Sequence, residues 1–462
     1  MVLGEKQFYI KSSLFPRLAF LLSAFALVGC GVAAAPRVTS THSPPTLPQP
    51  TATIQEAFPF PTLPRHTVIA SPVPAPTASS VPTQGVNLAL DERISLFEEV
   101  WSTVQANYLY EDFGGVNWQQ MHADYLPRIK AAEDRTHFYA TLAEMIDELG
   151  DQHSRFIPPS VAMTEDASVS GREVTVGIGI VARPKADGAF IQLILPNSPA
   201  ERAGLYPRDR ILSVDGRPYK PEDGDLSGAI GSTVRITVLR PGEKARDVVL
   251  MRQEVQMHIQ PSYRRFPGDI GYVMIPTLWA DDMGEQVSGA LTDLVASGPM
   301  RGLILDLRAN HGGWREVLSE VLSHFVQGKV GVFYSRSAVA PLLISPPTGP
   351  DLGRAHIPLI VLIDGDTASY AELMAAILKQ EAGAKLVGTH TAGNTETIYA
   401  HTFSDGSRLW LAQEGFHMNN GQNLEGVGVF PDVTIDADWT RYSEDDDPQL
   451  LEALRMLGAG PK

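Results

Sequence analysis

Ser369 is the residue from which any chemistry would start. It stands in Asp364-Gly-Asp-Thr-Ala-Ser-Tyr-Ala-Glu-Leu-Met374, after the apolar run Pro358-Leu-Ile-Val-Leu-Ile-Asp364 and before an amphipathic stretch over 371–380. The first pattern predicts a buried strand and the second a helix, so the serine hydroxyl falls where helix amides lack partners. Amides in that position bind an oxyanion, and the helix dipole favours negative charge there. The same residues allow a plainer reading: Ser369 with Glu372 three positions on is a capping box. A second strand end, Asp306-Leu-Arg-Ala-Asn-His-Gly-Gly313, offers the amides of Gly312 or Gly313 to complete an oxyanion hole begun by Tyr370. Its plainer reading is a structural Asp306–Arg308 ion pair followed by a tight turn.

The elements that would carry these groups lie in the last part of the chain. After residue 270, strand patterns at 270–275, 302–307, 359–363 and 385–387 alternate with helical patterns at 282–296, 315–326 and 370–380. More strand and turn follow at 408–412 and 425–432. That alternation predicts a layered α/β domain, and open sheets keep their sites at strand ends such as these.

Upstream, Ile94, Phe97, Trp101 and Val104 form one helical stripe from near Leu88. A second helix is expected from Asn117 to before Pro127, and a third over 136–149 with Gly150 as its stop. His153 would then sit on the loop that follows a rigid helix. Over 174–254 the pattern changes to short strands: 174–181, 189–195, 210–216 and 233–239, with a short helix in Asn197-Ser-Pro-Ala-Glu-Arg-Ala-Gly-Leu205. This stretch resembles a PDZ domain. The resemblance makes Val176, Gly177, Ile178, Gly179 and Ile180 the peptide-binding edge, where glycines allow close backbone approach and a peptide adds a strand.

The 462 residues are 44% hydrophobic and 8% aromatic, as in a soluble globular protein with room for two or three domains. A net charge of -16 and no basic stripe argue against nucleic acid as a partner. The acidic run Glu444-Asp-Asp-Asp447 reads as a solvated tail segment. The single cysteine, Cys30, excludes an intrachain disulfide. It ends Leu27-Val-Gly-Cys30, after Lys6, Lys11, Arg17 and the apolar run 18–28, which resembles a bacterial lipoprotein signal. That resemblance implies cleavage before Cys30, lipid attachment to its thiol and an exported protein held to the outer face of a membrane. From 33 to 84 Pro, Thr, Ser and Ala dominate, a composition that makes an extended tether.

The order of helical segment, PDZ-like domain, Asp-Leu-Arg-Ala-Asn-His-Gly-Gly and Thr-Ala-Ser-Tyr-Ala-Glu resembles the C-terminal processing (tail-specific) serine peptidases and their tricorn-like relatives. The resemblance covers about residues 88–436. It implies a crotonase-like α/β protease domain with an N-terminal helical segment and an inserted, mostly-β PDZ domain. The implied boundaries are 1–29 signal, 30–87 tether, 88–170 helical segment, 171–255 PDZ-like, 256–440 peptidase and 441–462 acidic tail. The implied activity is peptide-bond hydrolysis through an acyl-enzyme on Ser369, with protein or peptide substrates selected through free C-termini and no cofactor. The processing branch places a lysine base where this chain has Asn394, in Thr391-Ala-Gly-Asn394, and an asparagine cannot take the serine proton. The tricorn-like branch uses a histidine and a glutamate, which match His153 in Leu149-Gly-Asp-Gln-His-Ser154 and Glu425 before Gly-Val-Gly-Val-Phe-Pro-Asp. Its further serine, directly before the histidine, is Gln152 here. A metal is not expected, since no His-Glu-x-x-His or paired cysteine spacing occurs. The other reading is a silent scaffold that keeps a PDZ groove and only binds peptides.

Overall fold

The computed structural model describes residues 88–169, 174–220 and 226–459. The expected signal, Cys30 and the tether lie outside them. Among the described residues no helix is long and apolar enough to cross a membrane.

The N-terminal segment comprises α1 (Leu90–Asn107), α2 (Trp118–Ala131) and α3 (Arg135–Asp147), then β1 (Arg155–Ile157) and α4 (Pro159–Val169). Asn117 and Asp134 cap α2 and α3 through the amides of Gln120 and His137, as short polar side chains do at helix starts. The helix α2 runs through Pro127 rather than ending before it. Its apolar face supplies the reason: Tyr125 and Ile129, on either side of the proline, are both buried in the core that α1 and α3 complete. That core closes over Leu409, Leu411 and Ala412 of the peptidase domain.

The middle of the chain forms β2 (Val174–Gly177), β3 (Ile180–Lys185), β4 (Gly188–Ile194), α5 (Pro199–Arg202), β5 (Arg210–Val214), β6 (Arg217–Pro218), β7 (Thr233–Leu239), β8 (Arg246–Met251) and β9 (Gln253–Gln256). The expected single strand over 174–181 is divided. Gly179 turns at φ +79°, packed so closely on Ser198 that a Cβ would overlap it, and the chain changes partners there. Thus β2 pairs with β9 in a two-stranded ribbon, whereas β3 becomes the edge of a sheet ordered β3-β4-β5-β7-β8.

The rest contains β10 (Ser262–Phe266), β11 (Ile270–Met274), α6 (Met283–Ala296), β12 (Gly302–Asp306), α7 (Arg315–Ser323), β13 (Gly328–Tyr334), β14 (Val339–Ile344), β15 (Leu359–Ile363), α8 (Tyr370–Glu381), β16 (Lys385–Gly388), β17 (Thr397–Thr402), β18 (Arg408–Met418), β19 (Val433–Thr434) and α9 (Pro448–Met456). One sheet runs β10-β11-β12-β15-β16-β19, parallel except for β10. Its central strands are apolar on both faces, as helices on both sides require. Leu303, Leu305, Val361 and Ile363 enter the core under α6, α7 and α8, while Ile304, Ile360 and Leu362 meet α9. A second sheet, β1-β18-β13-β14 with β17 on β18, joins the N-terminal segment to this domain. The hairpin β13–β14 is an addition to the expected alternation.

In the acidic segment 444–447, Asp445 and Asp446 are exposed as expected, but the last residue is not solvated. Asp447 is fully buried, caps α9 through the amides of Gln449 and Leu450, and pairs with Arg308 and Arg208. Pro448 at the first helical position and the apolar face of Leu450, Ala453 and Leu454 pull the chain end onto the sheet.

Candidate active site

Ser369 sits between β15 and α8 with φ 57° and ψ −131°, a backbone conformation that a side chain with a Cβ adopts only under constraint. The constraint is visible on both sides. Its N–H donates to the Asn394 carbonyl at 2.7 Å and to Glu372 Oε2 at 3.1 Å. The capping-box pattern is therefore present, yet Ser369 Oγ makes no side-chain cap hydrogen bond. Buried Glu372 does more than cap. Its carboxylate also accepts from Thr391 Oγ1 and from the amides of Gly393 and Asn394 at 2.7 and 2.9 Å, which pins the loop after β16 against the serine.

The loop after β12 is held as tightly. Asp364 Oδ1 accepts the Ala309 amide at 3.0 Å, Ala368 N–H donates to the Asn310 carbonyl at 2.9 Å, and Asn310 Nδ2 donates to Ile275 O at 2.8 Å. Asn310 Oδ1 takes the Gly312 N–H at 2.9 Å. A Cβ on Gly312, whose φ is +80°, would lie 2.7 Å from Ser369 Cβ and 2.9 Å from the Tyr370 nitrogen. Gly313 abuts the Leu278 carbonyl with no room for a Cβ. Its N–H and that of Tyr370 make no hydrogen bond among the described residues, whereas that of Gly312 is already occupied.

His153 lies on the loop between α3 and β1, buried, with its amide and that of Ser154 donating to Asp151 Oδ1. Ser154 Oγ in turn accepts the Ala412 amide of β18 at 3.1 Å. Across from it, His153 Nε2 stands 3.2 Å from Glu425 Oε1. The other oxygen of Glu425 accepts the amides of Thr395 and Glu396 at 2.6 and 3.1 Å. These amides follow Asn394, whose carbonyl holds the Ser369 N–H, so two residues of backbone link the serine to the histidine's partner. No hydrogen bond joins Ser369 Oγ to His153. Gln152 is exposed.

The electrostatics follow from this packing. Burial works against a charged His153, but the hydrogen bond and charge of Glu425, with Glu396 behind, hold its pKa above the usual imidazole value. Burial also works against an ionised Glu425, and His153 with the Thr395 amide overcomes it, leaving that carboxyl below its usual range. Glu396 is a residue that sequence reasoning missed. Its side chain is 3% exposed, its Oε2 is 3.7 Å from His153 Nε2, and burial pushes its pKa up to about 7. Tyr110 donates to its other oxygen from 286 residues away, a pairing with no local sequence signal.

Of the edge proposed for peptide binding, Val176 and Gly177 are paired with Glu254 and Gln253. Ile178 is buried, Gly179 forms the turn, and Ile180 opens the edge strand β3. From β4, Gln192 Nε2 donates to the carbonyls of Pro276 and Ala309 at 3.2 and 3.1 Å, tying this sheet to the glycine loop. Lys185 of β3 pairs with Asp366 beside Ser369 at 2.7 Å. Between the two domains lies a cavity of about 870 Å³, lined by Arg183 and Gln192 on one side and by Trp279, Trp314 and Trp410 on the other.

Comparison with known proteins agrees with this architecture. Residues 269–435 match the model of peptidase family S41, 90–147 that of the tricorn protease C1 domain, and 190–240 that of a PDZ domain. The chain is 27% identical to the carboxyl-terminal-processing protease of Picosynechococcus sp., over 80% of this chain and 90% of the relative. It is 26% identical to carboxyl-terminal-processing peptidase 2, chloroplastic, of Arabidopsis thaliana, over 82% and 75%. The solved photosystem II D1 C-terminal processing protease superposes with a TM-score of 0.55 at 26% identity, covering 80% of this chain and 98% of that one. These relatives do not favour the silent-scaffold reading. Residues 269–435 thus resemble peptidase family S41, and the chain is a serine peptidase of the C-terminal processing kind that carries a PDZ domain.

Proposed function

We propose that this peptidase works with Ser369 as nucleophile, His153 as general base and acid, and Glu425 as the group that orients and charges the imidazole. The observation that carries the reading is the 3.2 Å contact of His153 Nε2 with Glu425 Oε1, one loop away from a strained serine, with Asn394 where the processing branch has its lysine. With Nε2 turned to the carboxylates, Nδ1 is the nitrogen left to take the serine proton. As in many apo sites, that hydrogen bond tightens only when substrate closes the cleft. Ser369 Oγ then bonds to the scissile carbonyl carbon while its proton passes to His153. The displaced electron pair on the carbonyl oxygen is held by the N–H groups of Gly313 and Tyr370. Collapse breaks the C–N bond, the imidazolium protonates the leaving amine, and water repeats the sequence on the acyl-enzyme.

The substrates are exported proteins or peptides, selected through a free C-terminus by the PDZ domain, with the chain added along the β3 edge. The bridges from Gln192 and Lys185 to the loops around Ser369 support a PDZ domain that gates the site as well as selecting for it. A lipid on Cys30, followed by the proline-rich tether, would hold the enzyme at the outer face of the membrane. The base assignment is tested by the pH dependence of kcat/KM with a chelator present. His153 must be neutral to act, and its pKa is raised, so activity should rise with pH along an acidic limb above the ordinary imidazole value. Replacement His153→Ala should remove both the limb and nearly all activity; an unchanged profile in that variant would refute the assignment.

A further inference from the structure

His153, Glu396 and Glu425 reach one point from three distant segments, each offering one ligand atom within 4.8 Å of the other two. Each carboxylate has its second oxygen already fixed by protein donors. Glu425 Oε2 accepts from Thr395 N, Thr395 Oγ1 and Glu396 N, and Glu396 Oε1 accepts from Tyr110. What remains is Glu425 Oε1 and Glu396 Oε2, both turned to His153 Nε2 at 3.2 and 3.7 Å. Glu396 is 4% exposed, and its Oε2 has no hydrogen-bond partner. A buried carboxylate oxygen with no donor is costly, and here it points at two further ligating atoms.

We propose that these three side chains bind one zinc(II) ion, and that the ion reversibly silences the peptidase by occupying the imidazole it needs. The second half rests on the reading of His153 as general base. Zinc takes imidazole nitrogen and carboxylate oxygen at about 2.0–2.2 Å in tetrahedral geometry, with three protein ligands and a fourth position open. Ligand atoms in such a shell lie about 3.3–3.5 Å apart; the two carboxylate oxygens stand 3.2 and 3.7 Å from Nε2 and within 4.8 Å of each other. The donors on the outer oxygens are the kind of supporting shell that orients metal ligands. Calcium and magnesium prefer shells made of oxygen alone and fit the imidazole less well.

The chemistry of the block is simple. Zinc binds the lone pair on Nε2, so the neutral ring carries its one proton on Nδ1. It then has no lone pair to accept the Ser369 proton. Binding forms coordinate bonds only, releases any proton held at Nε2 or Glu396 to solvent, and changes no oxidation state.

The test uses the full chain, stripped with a chelator and titrated with zinc(II) by calorimetry and with cobalt(II) by visible absorption. One ion should bind per wild-type chain and per Ser369→Ala chain, while Glu396→Gln and Glu425→Gln each weaken binding by at least about tenfold. In the wild type, zinc should block labelling of Ser369 by a serine-reactive phosphonate, and chelator should restore it. Absence of stoichiometric binding to the wild type, or wild-type affinity in both glutamine variants, would overturn the site. Hydrolysis that survives Ser369→Ala would overturn the catalytic reading instead, and the calorimetric result would stand apart from it.

Discussion

Arg308 and His153 are both buried beside two carboxylates, but the two clusters are satisfied in opposite ways. Around Arg308 the polar groups close on one another: Asp306 accepts from Nε and Nη2, Asp447 and Gln449 accept from Nη1, and Tyr272 donates to Asp306. Burial opposes the charged forms there. The partners overcome it, so Asp306 lies below the usual carboxylate range and Arg308 above its own value. Around His153 one carboxylate is ionised and low, the other is pushed up to about 7, and one oxygen is left without a donor. A closed ionic network anchors the strand end that leads to the glycine turn. The open one leaves a carboxylate oxygen without a donor 3.7 Å from the imidazole, and buried groups left unsatisfied in this way mark function more often than support.

The contrast can be broken at its rigid half first. Replacing Arg308 by methionine strands Asp306 in the core and leaves Asp447 with Arg208 alone, and unfolding by denaturant should show a loss of about 3–5 kcal/mol. A loss under about 1 kcal/mol would mean that the network is not closed. At the junction of the two regions, Gly312→Ala forces a Cβ against Ser369 in a left-handed conformation. It should lower stability by about 1–3 kcal/mol and depress kcat more than it raises KM; wild-type kcat would show that the turn does not shape the site.

A subtler comparison is in pH. With chelator present, the raised carboxyl of Glu396 binds its proton more tightly folded than unfolded, so it disfavours the fold increasingly from its unfolded value of about 4.3 up to about 7. Glu396→Gln should therefore gain thermal stability relative to wild type at pH 8 and lose that advantage near pH 4. Asp306 has the opposite sign. Its lowered pKa contributes stability that is fully present above the unfolded value of about 3.9 and lost as pH falls through the folded one. Asp306→Asn should cost most at neutral pH. Parallel pH curves for the two variants would contradict the distinction.

What the sequence revealed of this molecule is mostly what is local in it. The strand over 359–363, the helix from Tyr370 and the turn at Gly312 and Gly313 are written in periodicity and glycine placement, and all three stand where expected. The plain reading of Asp306 and Arg308 as an ion pair holds as well. The pairing of His153 with Glu425 spans 272 residues, and only resemblance to a family pointed to it. Glu396 has no such help, because its partners Tyr110 and His153 come from two separate loops of the N-terminal segment. Asp447 was misread as solvated although Asp-Pro before an apolar stripe is a helix-start signal; the charge run obscured it. The break at Gly179 was hidden by an unbroken alternation of apolar residues, since close packing on Ser198 leaves no trace in local pattern.

The role of Ser369 as nucleophile is tested by phosphonate labelling of the intact chain, read by mass spectrometry beside peptide hydrolysis. One adduct is expected, on the peptide that contains Ser369, with hydrolysis lost in step; Ser369→Ala should take no label and show no activity. A label on another residue, or hydrolysis undiminished in Ser369→Ala, would contradict it.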